Sequence, residues 1–492
     1  MERLSEATLD RLPASVDRFA YDREDVVTGI VHLGVGAFHR GHQAVYTDAV
    51  LAKDPSWGIL GVSLRTGETR DALSPQDALY TVSAVDGDGA RRRVIGSLTG
   101  LMIAHEDPTG LHVRLADPEV KIVSTTVTEK GYSHDPATGT LNEDDPDVVH
   151  DLTHLDRARS TIGTIVAGLR HRHAQGIAPF TVLACDNLPA NGHTLRGLVV
   201  RFAELVDRDF GKWVADEVRF PSTMVDRIVP ATTDADRAAV ANAIGLEDAW
   251  PIVTEPFTQW VVEDDFGLGR PAWEAVGVEF VTDVAPYELM KLRMLNGSHS
   301  TLSYLGHLMG HETVAAAMGE PALAQLVSDL MEKESAPTLP ALTVDLAAYR
   351  ADLLARFRNP ALKHRTWQIA MDGSQKLPQR LLGTIRDRLR AGAPIDRAAL
   401  GVAAWMRWVT GIDEAGAPID VRDPLAARLR AIADAAGPDA ARLAPALAAV
   451  GEVFGTDLPA DPRFMSAVTT GLDRLLRLGA RATVAAMVED GS

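Results

Sequence analysis

Covalent cross-linking is almost absent from this chain: Cys185 is the single cysteine among 492 residues. One thiol cannot form an intrachain disulfide, which fits a reducing compartment, and without a thiolate cluster no catalytic zinc is expected. Positive charge is also in short supply. Lysine and arginine number 49 against 67 aspartates and glutamates, a formal charge of −18, and such a surface suits neither nucleic acid nor an anionic membrane. No apolar run reaches membrane-spanning length, and Met1-Glu2-Arg3-Leu4-Ser5-Glu6 lacks the charged-then-apolar pattern of a secretory signal. The expectation is a soluble cytoplasmic protein, a monomer or weak homo-oligomer, whose partner is a small molecule.

What is present is apolar material, 46% of the chain, enough for two domains. Residues 30–33, 58–63, 122–128 and 180–185 are apolar nearly throughout, as buried parallel strands are. Between the strands lie helix-length segments such as Leu195, Leu198, Val199, Phe202, Leu205 and Val206, spaced for one helix face. This alternation predicts an α/β fold with a doubly wound sheet. After Asp283 the chain is rich in alanine, leucine and arginine, and stretches such as 400–409 and 464–478 read as helices. Asp461-Pro462 marks a helix start, with proline at the first helical position. The predicted organisation is a Rossmann-type dinucleotide-binding domain over 1–283 and a mainly helical substrate and catalytic domain over 284–492.

Two segments carry chemistry. In Gly34-Val35-Gly36-Ala37-Phe38-His39-Arg40-Gly41, glycines after the first strand let the backbone turn tightly and approach a pyrophosphate, which the start of a helix would favour. The spacing departs from GxGxxG, and a plain turn is the alternative. After the second strand, Glu68 offers an acceptor for an adenosine ribose and would repel a 2′-phosphate, whereas Arg65 and Arg70 would attract one. The balance favours NAD, with NADP left open. Further on, Lys291-Leu292-Arg293-Met294-Leu295-Asn296-Gly297-Ser298-His299 supplies a base, an amide donor and a histidine. A lysine acts as base only if its pKa falls well below the usual ~10.4. On an ideal α-helix Lys291, His299 and Asn296 stand at about 0°, 80° and 140°, a loose side rather than a stripe. The alternative is a solvated lysine, a helix ending at Asn296-Gly297 and an ordinary histidine.

A further site follows the strand at 180–185. Asn187, just past the carboxyl end of a parallel strand, is a candidate oxyanion donor, while Asp186 reads as a helix cap and Asn191-Gly192 as a turn. Metal ligation finds little support: His307 and His311 are four apart beside Gly310, and His171 and His173 cannot share a helix face.

At these residues the chain resembles the mannitol dehydrogenase family, the polyol-specific long-chain dehydrogenases. The resemblance runs from about Gly29 to the C-terminus and is most specific over 30–48, 126–132, 185–192, 223–230, 255–264, 290–299 and 372–376. It implies a Rossmann-type domain followed by a mainly helical one, and metal-free hydride transfer to a nicotinamide. By position it implies Lys291 as the catalytic base, Asn187 and Asn296 as the oxyanion pair, and His299 as the histidine orienting substrate. It also implies Asp226 as a substrate-contacting acid and Glu288 as an acid gating proton passage. Mannitol 2-dehydrogenases carry an arginine eight residues before the lysine matched by Lys376; here Gln368 stands there. The stretch from His364 to Lys376 instead looks like fructuronate reductases (mannonate oxidoreductases), whose substrate carboxylate Arg365 or Lys376 would meet. The expected reaction is D-mannonate/D-fructuronate interconversion, with D-mannitol/D-fructose or a pentitol such as arabinitol next. The different-class rival is a regulator that senses NAD(H) without turnover.

Overall fold

Successive Ile, Val and Leu side chains make the first long apolar run a strand buried on both faces. This strand, β1 (Thr28–Leu33), lies in the middle of a five-stranded sheet in the computed structural model, which describes residues 1–135 and 138–490. The others are β2 (Gly58–Ser63), β3 (Leu98–Ile103), β4 (Ile122–Thr125) and β5 (Thr181–Ala184). Their spatial order is β3-β2-β1-β4-β5, and every neighbouring pair is parallel. The order reverses between β1 and β4, which makes the crevice at their carboxyl ends the place where such sheets hold dinucleotides.

Each strand sends side chains to two cores. Val31, Val62, Val123 and Val182 pack with helix residues that include Leu195, Leu198, Val199 and Phe202, whereas Ile30, Ile59, Ile122 and Leu183 join Val35, Ala44 and Val50 on the other face. Full burial of a Val, Leu, Ile or Phe side chain contributes about 1.5–3 kcal/mol, so helices on both faces stabilise the sheet. The N-terminal unit is therefore Rossmann-type, as the alternation predicted. It also holds two smaller sheets. In one, Tyr80–Asp86 pairs antiparallel with Gly89–Ile95; in the other, Gln259–Glu263 pairs antiparallel with Thr223–Asp226.

The chain divides into two compact units, Met1–Ala285 and Pro286–Ser492. The second is helical, with a core that includes Tyr304, Leu305, Trp405, Trp408, Leu447 and Leu472. Its helices include Gly297–Leu308, Leu346–Phe357, Asp396–Trp408 and Pro462–Asp490. The last begins at the predicted proline, and Asp461 Oδ1 accepts from the Arg463 backbone N–H at 2.8 Å. It breaks at Gly479 (φ +80°, ψ 169°), just past the stretch 464–478. Among the described residues three segments wind as π-helix: Lys291–Asn296, Leu330–Ser335 and Pro378–Leu382. Among the described residues no helix is long and apolar enough to cross a membrane.

Candidate active site

Two groups of candidate residues lie in the sheet unit, both at the carboxyl edge. At the first, β1 ends in Gly34 with φ +91°, where a Cβ would stand 2.2 Å from the Thr126 carbonyl oxygen. Only glycine takes that conformation without strain. Gly36 is exposed, and a Cβ there would meet nothing nearer than the Gly34 oxygen at 3.8 Å. A short helix starts at Ala37, with Val35 buried and Ala37 and Phe38 half-buried. The tight glycine, the open glycine and the strand-order reversal together fit a dinucleotide pyrophosphate.

A polar network inside the sheet fixes this turn. The His32 ring lies 2.8 Å from Ser124 Oγ through Nδ1 and 2.8 Å from Thr126 Oγ1 through Nε2. Thr126 in turn donates to the Gly34 carbonyl at 2.7 Å. Gln43 meets Ser124 Oγ at 2.9 Å. Ser124 Oγ donates this bond to Gln43 Oε1, so one chain of polar contacts runs from Gln43 through Ser124, His32 and Thr126 to Gly34. His39 stacks on His32 with ring centres 3.4 Å apart. Burial is the main cause that pushes His32 down to about 3 and His39 well below the usual histidine value, so both rings stay neutral.

Thr128, after β4, adopts φ +65° and ψ 164°, a region otherwise occupied essentially by glycine and costing about 1–3 kcal/mol. Asp186, after β5, holds it there by accepting the backbone N–H groups of Val127 (2.9 Å) and Thr128 (3.0 Å) and the Tyr132 hydroxyl (2.5 Å). Asp186 is therefore a clamp between two loops, not a helix cap. Asn191 is likewise no turn: it opens the helix Asn191–Val206, and its buried side chain bonds the Thr223 backbone on both N–H and carbonyl. Asn187 is exposed, and Asp226 is buried at the end of Thr223–Asp226. Arg65 is exposed, 3.6 Å from Asp147, and Glu68 is exposed at the first position of Glu68–Leu73. Arg70 is engaged by Asp71 and Glu106. Cys185 is buried, and burial pushes its thiol pKa up.

In the helical unit, Lys291–Asn296 is a π-helix rather than an α-helix: the Gly297 N–H bonds the Leu292 carbonyl, five residues back. Residues five apart stack one turn apart in such a helix, so Lys291 and Asn296 share a face. His299 follows three residues later in the α-helix Gly297–Leu308, on that same face. The loose spread expected of an α-helix thus becomes a stripe. Lys291 and His299 are buried at 9% and 7% exposure, which rules out a solvated lysine. The helix does not end at Asn296-Gly297. Gly297 is required by close packing, since a Cβ would stand 2.7 Å from the Arg380 carbonyl oxygen. Glu288 is half-buried on Ala285–Met290, one turn before Lys291.

The two cations expected to meet a carboxylate belong to this unit as well. Arg365 is exposed, and Lys376 Nζ donates to the Met371 carbonyl at 2.6 Å. His364, which opens the stretch singled out in the sequence, meets the His299 ring edge-on at 5.2 Å, and Phe357 lies 4.6 Å from it; neither neighbour carried a signal of that contact in the sequence. His311 pairs with Glu320. Among the described residues no group of three or more His, Cys, Asp or Glu side chains could hold a metal ion.

Comparison with known proteins places the chain. The mannitol dehydrogenase Rossmann domain matches residues 28–275 and the mannitol dehydrogenase C-terminal domain matches 283–476. The chain is 46% identical to the D-mannonate oxidoreductase of Escherichia coli strain K12, over 96% of its own length and 98% of that protein's. Its fold matches the Pseudomonas fluorescens mannitol 2-dehydrogenase, solved as a ternary complex with NAD and D-mannitol, at a TM-score of 0.88, with 40% identity and 99% of each chain covered. A D-sorbitol dehydrogenase solved in substrate-free form matches at 0.87, with 32% identity over 98% of this chain and 100% of that one. With both domain models matched in order along one chain, the protein belongs to the mannitol dehydrogenase family and is an NAD-dependent oxidoreductase acting on CH–OH groups.

Proposed function

We propose that the protein interconverts D-mannonate and D-fructuronate in the cytoplasm, as a monomer or weak homo-oligomer that engages neither nucleic acid nor membrane. The observation that carries this reading is the stripe created by the π-helical turn, with Lys291 and His299 buried and Asn296 half-buried between them. In oxidation Lys291 takes the hydroxyl proton of the substrate; in reduction it returns one. Asn296 donates its amide to the developing oxyanion, and the family resemblance gives Asn187 the same role. His299 hydrogen-bonds a substrate hydroxyl, Asp226 contacts the polyhydroxy chain, and Glu288 passes the proton between Lys291 and solvent. Residues 34–38 take the pyrophosphate, with Arg65 and Glu68 at the adenosine end. Bound NAD supplies the hydride acceptor.

The 46% identity to a D-mannonate oxidoreductase supports this substrate. So does Gln368, in the place of the arginine seen in mannitol 2-dehydrogenases. A second reading, D-mannitol/D-fructose, is favoured by the likeness to the mannitol-bound Pseudomonas structure. The test of the reaction is NADH absorbance with ketoses and ketouronates. Lys291→Ala should lower turnover by about 100- to 10,000-fold with NADH affinity nearly intact, and near-normal rates in that variant would remove lysine from the mechanism.

A further inference from the structure

His299 has a second histidine beside it. The His364 ring meets it edge-on, with centres 5.2 Å apart and planes at 84°, and Phe357 lies 4.6 Å from it. Backbone bonds hold His364 in that place. Its carbonyl accepts from the Val314 N–H at 2.9 Å, and the Thr366 N–H donates to the Glu312 carbonyl at 3.0 Å. The Thr366 hydroxyl adds a bond to the His311 carbonyl at 2.8 Å. Residues 311–314 follow the helix Gly297–Leu308, so this short ladder ties His364 to the helix that carries His299. Lys363, just before it, has φ +43° and ψ 37°. A residue with a Cβ is disfavoured in that left-handed region, and such strain gathers where a site requires one particular backbone course.

Both rings are open to a ligand. His299 Nε2 is buried and has no hydrogen-bond partner in the protein. His364 is half-buried, and among the described residues no charge or hydrogen bond acts on its ring. Burial alone pushes His364 down to about 4, and burial is the main cause that holds His299 well below the usual histidine value, so both are neutral at pH 7. A neutral imidazole carries one N–H donor and one acceptor nitrogen, and a hydroxyl likewise donates and accepts. Two such rings side by side match two neighbouring hydroxyls. A carboxylate only accepts, and neutral rings give it no charge assistance.

We propose that His364 is a second hydroxyl-binding residue of the substrate site, which with His299 selects chains bearing two adjacent hydroxyls. This rests on the assignment of His299 to a substrate hydroxyl beside Lys291. His364 takes the hydroxyl next to the one that His299 holds, and has no part in the proton transfer. Its bond is made equally in the bound substrate and in the transition state, so it acts on KM rather than kcat.

The experiment follows NADH oxidation by D-fructuronate and by its monodeoxy analogues, each lacking one chain hydroxyl. It uses the full-length protein and its His364→Phe and His364→Asn variants, with the D-fructose series in place of fructuronate if the parent prefers it. Phenylalanine keeps a ring for the edge-on packing but no hydrogen bond; asparagine keeps a donor and an acceptor but no ring. His364→Phe should raise KM about tenfold with kcat nearly unchanged, and His364→Asn should recover part of that loss. One deoxy analogue should be about tenfold poorer than the full substrate for the parent, yet equal to it for His364→Phe. A packing role predicts the reverse, phenylalanine tolerated and asparagine not, and that result overturns the proposal. The same analogue ratios in parent and variant overturn it too. Urea unfolding and NADH titration report whether each variant is folded, and His364→Ala carries the analogue comparison if His364→Phe does not fold. A parent that binds NADH but reduces no ketouronate or ketose overturns the reaction itself, and the subsite with it.

Discussion

Gly34 is where one methyl group should do most harm to cofactor binding. Its φ of +91° and the 2.2 Å approach of a Cβ to the Thr126 oxygen leave an alanine no place. Gly34→Ala should cost about 1–3 kcal/mol in stability and weaken NADH binding by at least about tenfold (1.4 kcal/mol), read by urea unfolding and fluorescence titration. Thr126→Val tests the network beneath it. Loss of the hydroxyl leaves His32 Nε2 only its longer contact with the Gly34 carbonyl at 3.3 Å, at about 1 kcal/mol, with a rise in KM for NAD and little change in kcat. The glycine turn was legible in the sequence because glycine itself is the signal for a positive φ. Thr128 gave no such sign: a threonine in glycine's territory is held by Asp186, and that partnership exists only once β4 and β5 lie side by side.

The π-helical turn from Lys291 to Asn296 shows a different limit. The residue types were readable, and so was their chemistry, but their angular relation was not. Leu, Arg and Met fit an α-helix as well as a π-helix, and the choice is made by tertiary anchors. Arg293 pairs with Asp387 at 2.6 Å and donates to the Thr338 carbonyl at 3.0 Å, while its own carbonyl accepts from Ser335 Oγ at 3.3 Å. Asp387→Ala would leave the buried guanidinium without its carboxylate. We expect a loss of roughly 2 kcal/mol, below the full cost of a broken buried pair because Asp387 is itself about one-third exposed. Turnover should fall more than NADH affinity, since the anchor acts on the base and not on the glycine turn. Equal losses in both would count against this. By contrast, β1, β2, β4 and β5 were readable to within a few residues, because strands buried on both faces are apolar at every position. β3, Leu98–Ile103, was not: Thr99 and Gly100 interrupt the run, and its place at the sheet edge tolerates them.

Both units store histidines in neutral form, and this gives the whole molecule an acid limit. His32 is pushed down to about 3 and His364 to about 4, chiefly by burial, and His39 and His299 lie well below the usual value. Each binds a proton more readily when unfolded, so its stability contribution is complete above the unfolded value near 6.5. That contribution is lost as pH falls from there toward the folded pKa. At pH 5 the His32 share of the loss is about 2 kcal/mol. Urea midpoints should fall steadily between pH 7 and 5, and a variant with His32→Asn should show a shallower slope than the parent. An unchanged slope would mean that His32 is protonated within the fold.

Cys185 gives this acid limit, and any other loss of the sheet, a built-in reporter. The thiol lies just past β5, buried among apolar neighbours and with its ionisation suppressed, so an alkylating reagent reaches it only when that edge opens. With no second thiol in the chain, one mass increment per molecule records each opening. The rate of iodoacetamide labelling should therefore drop when NADH is added and climb in mild acid.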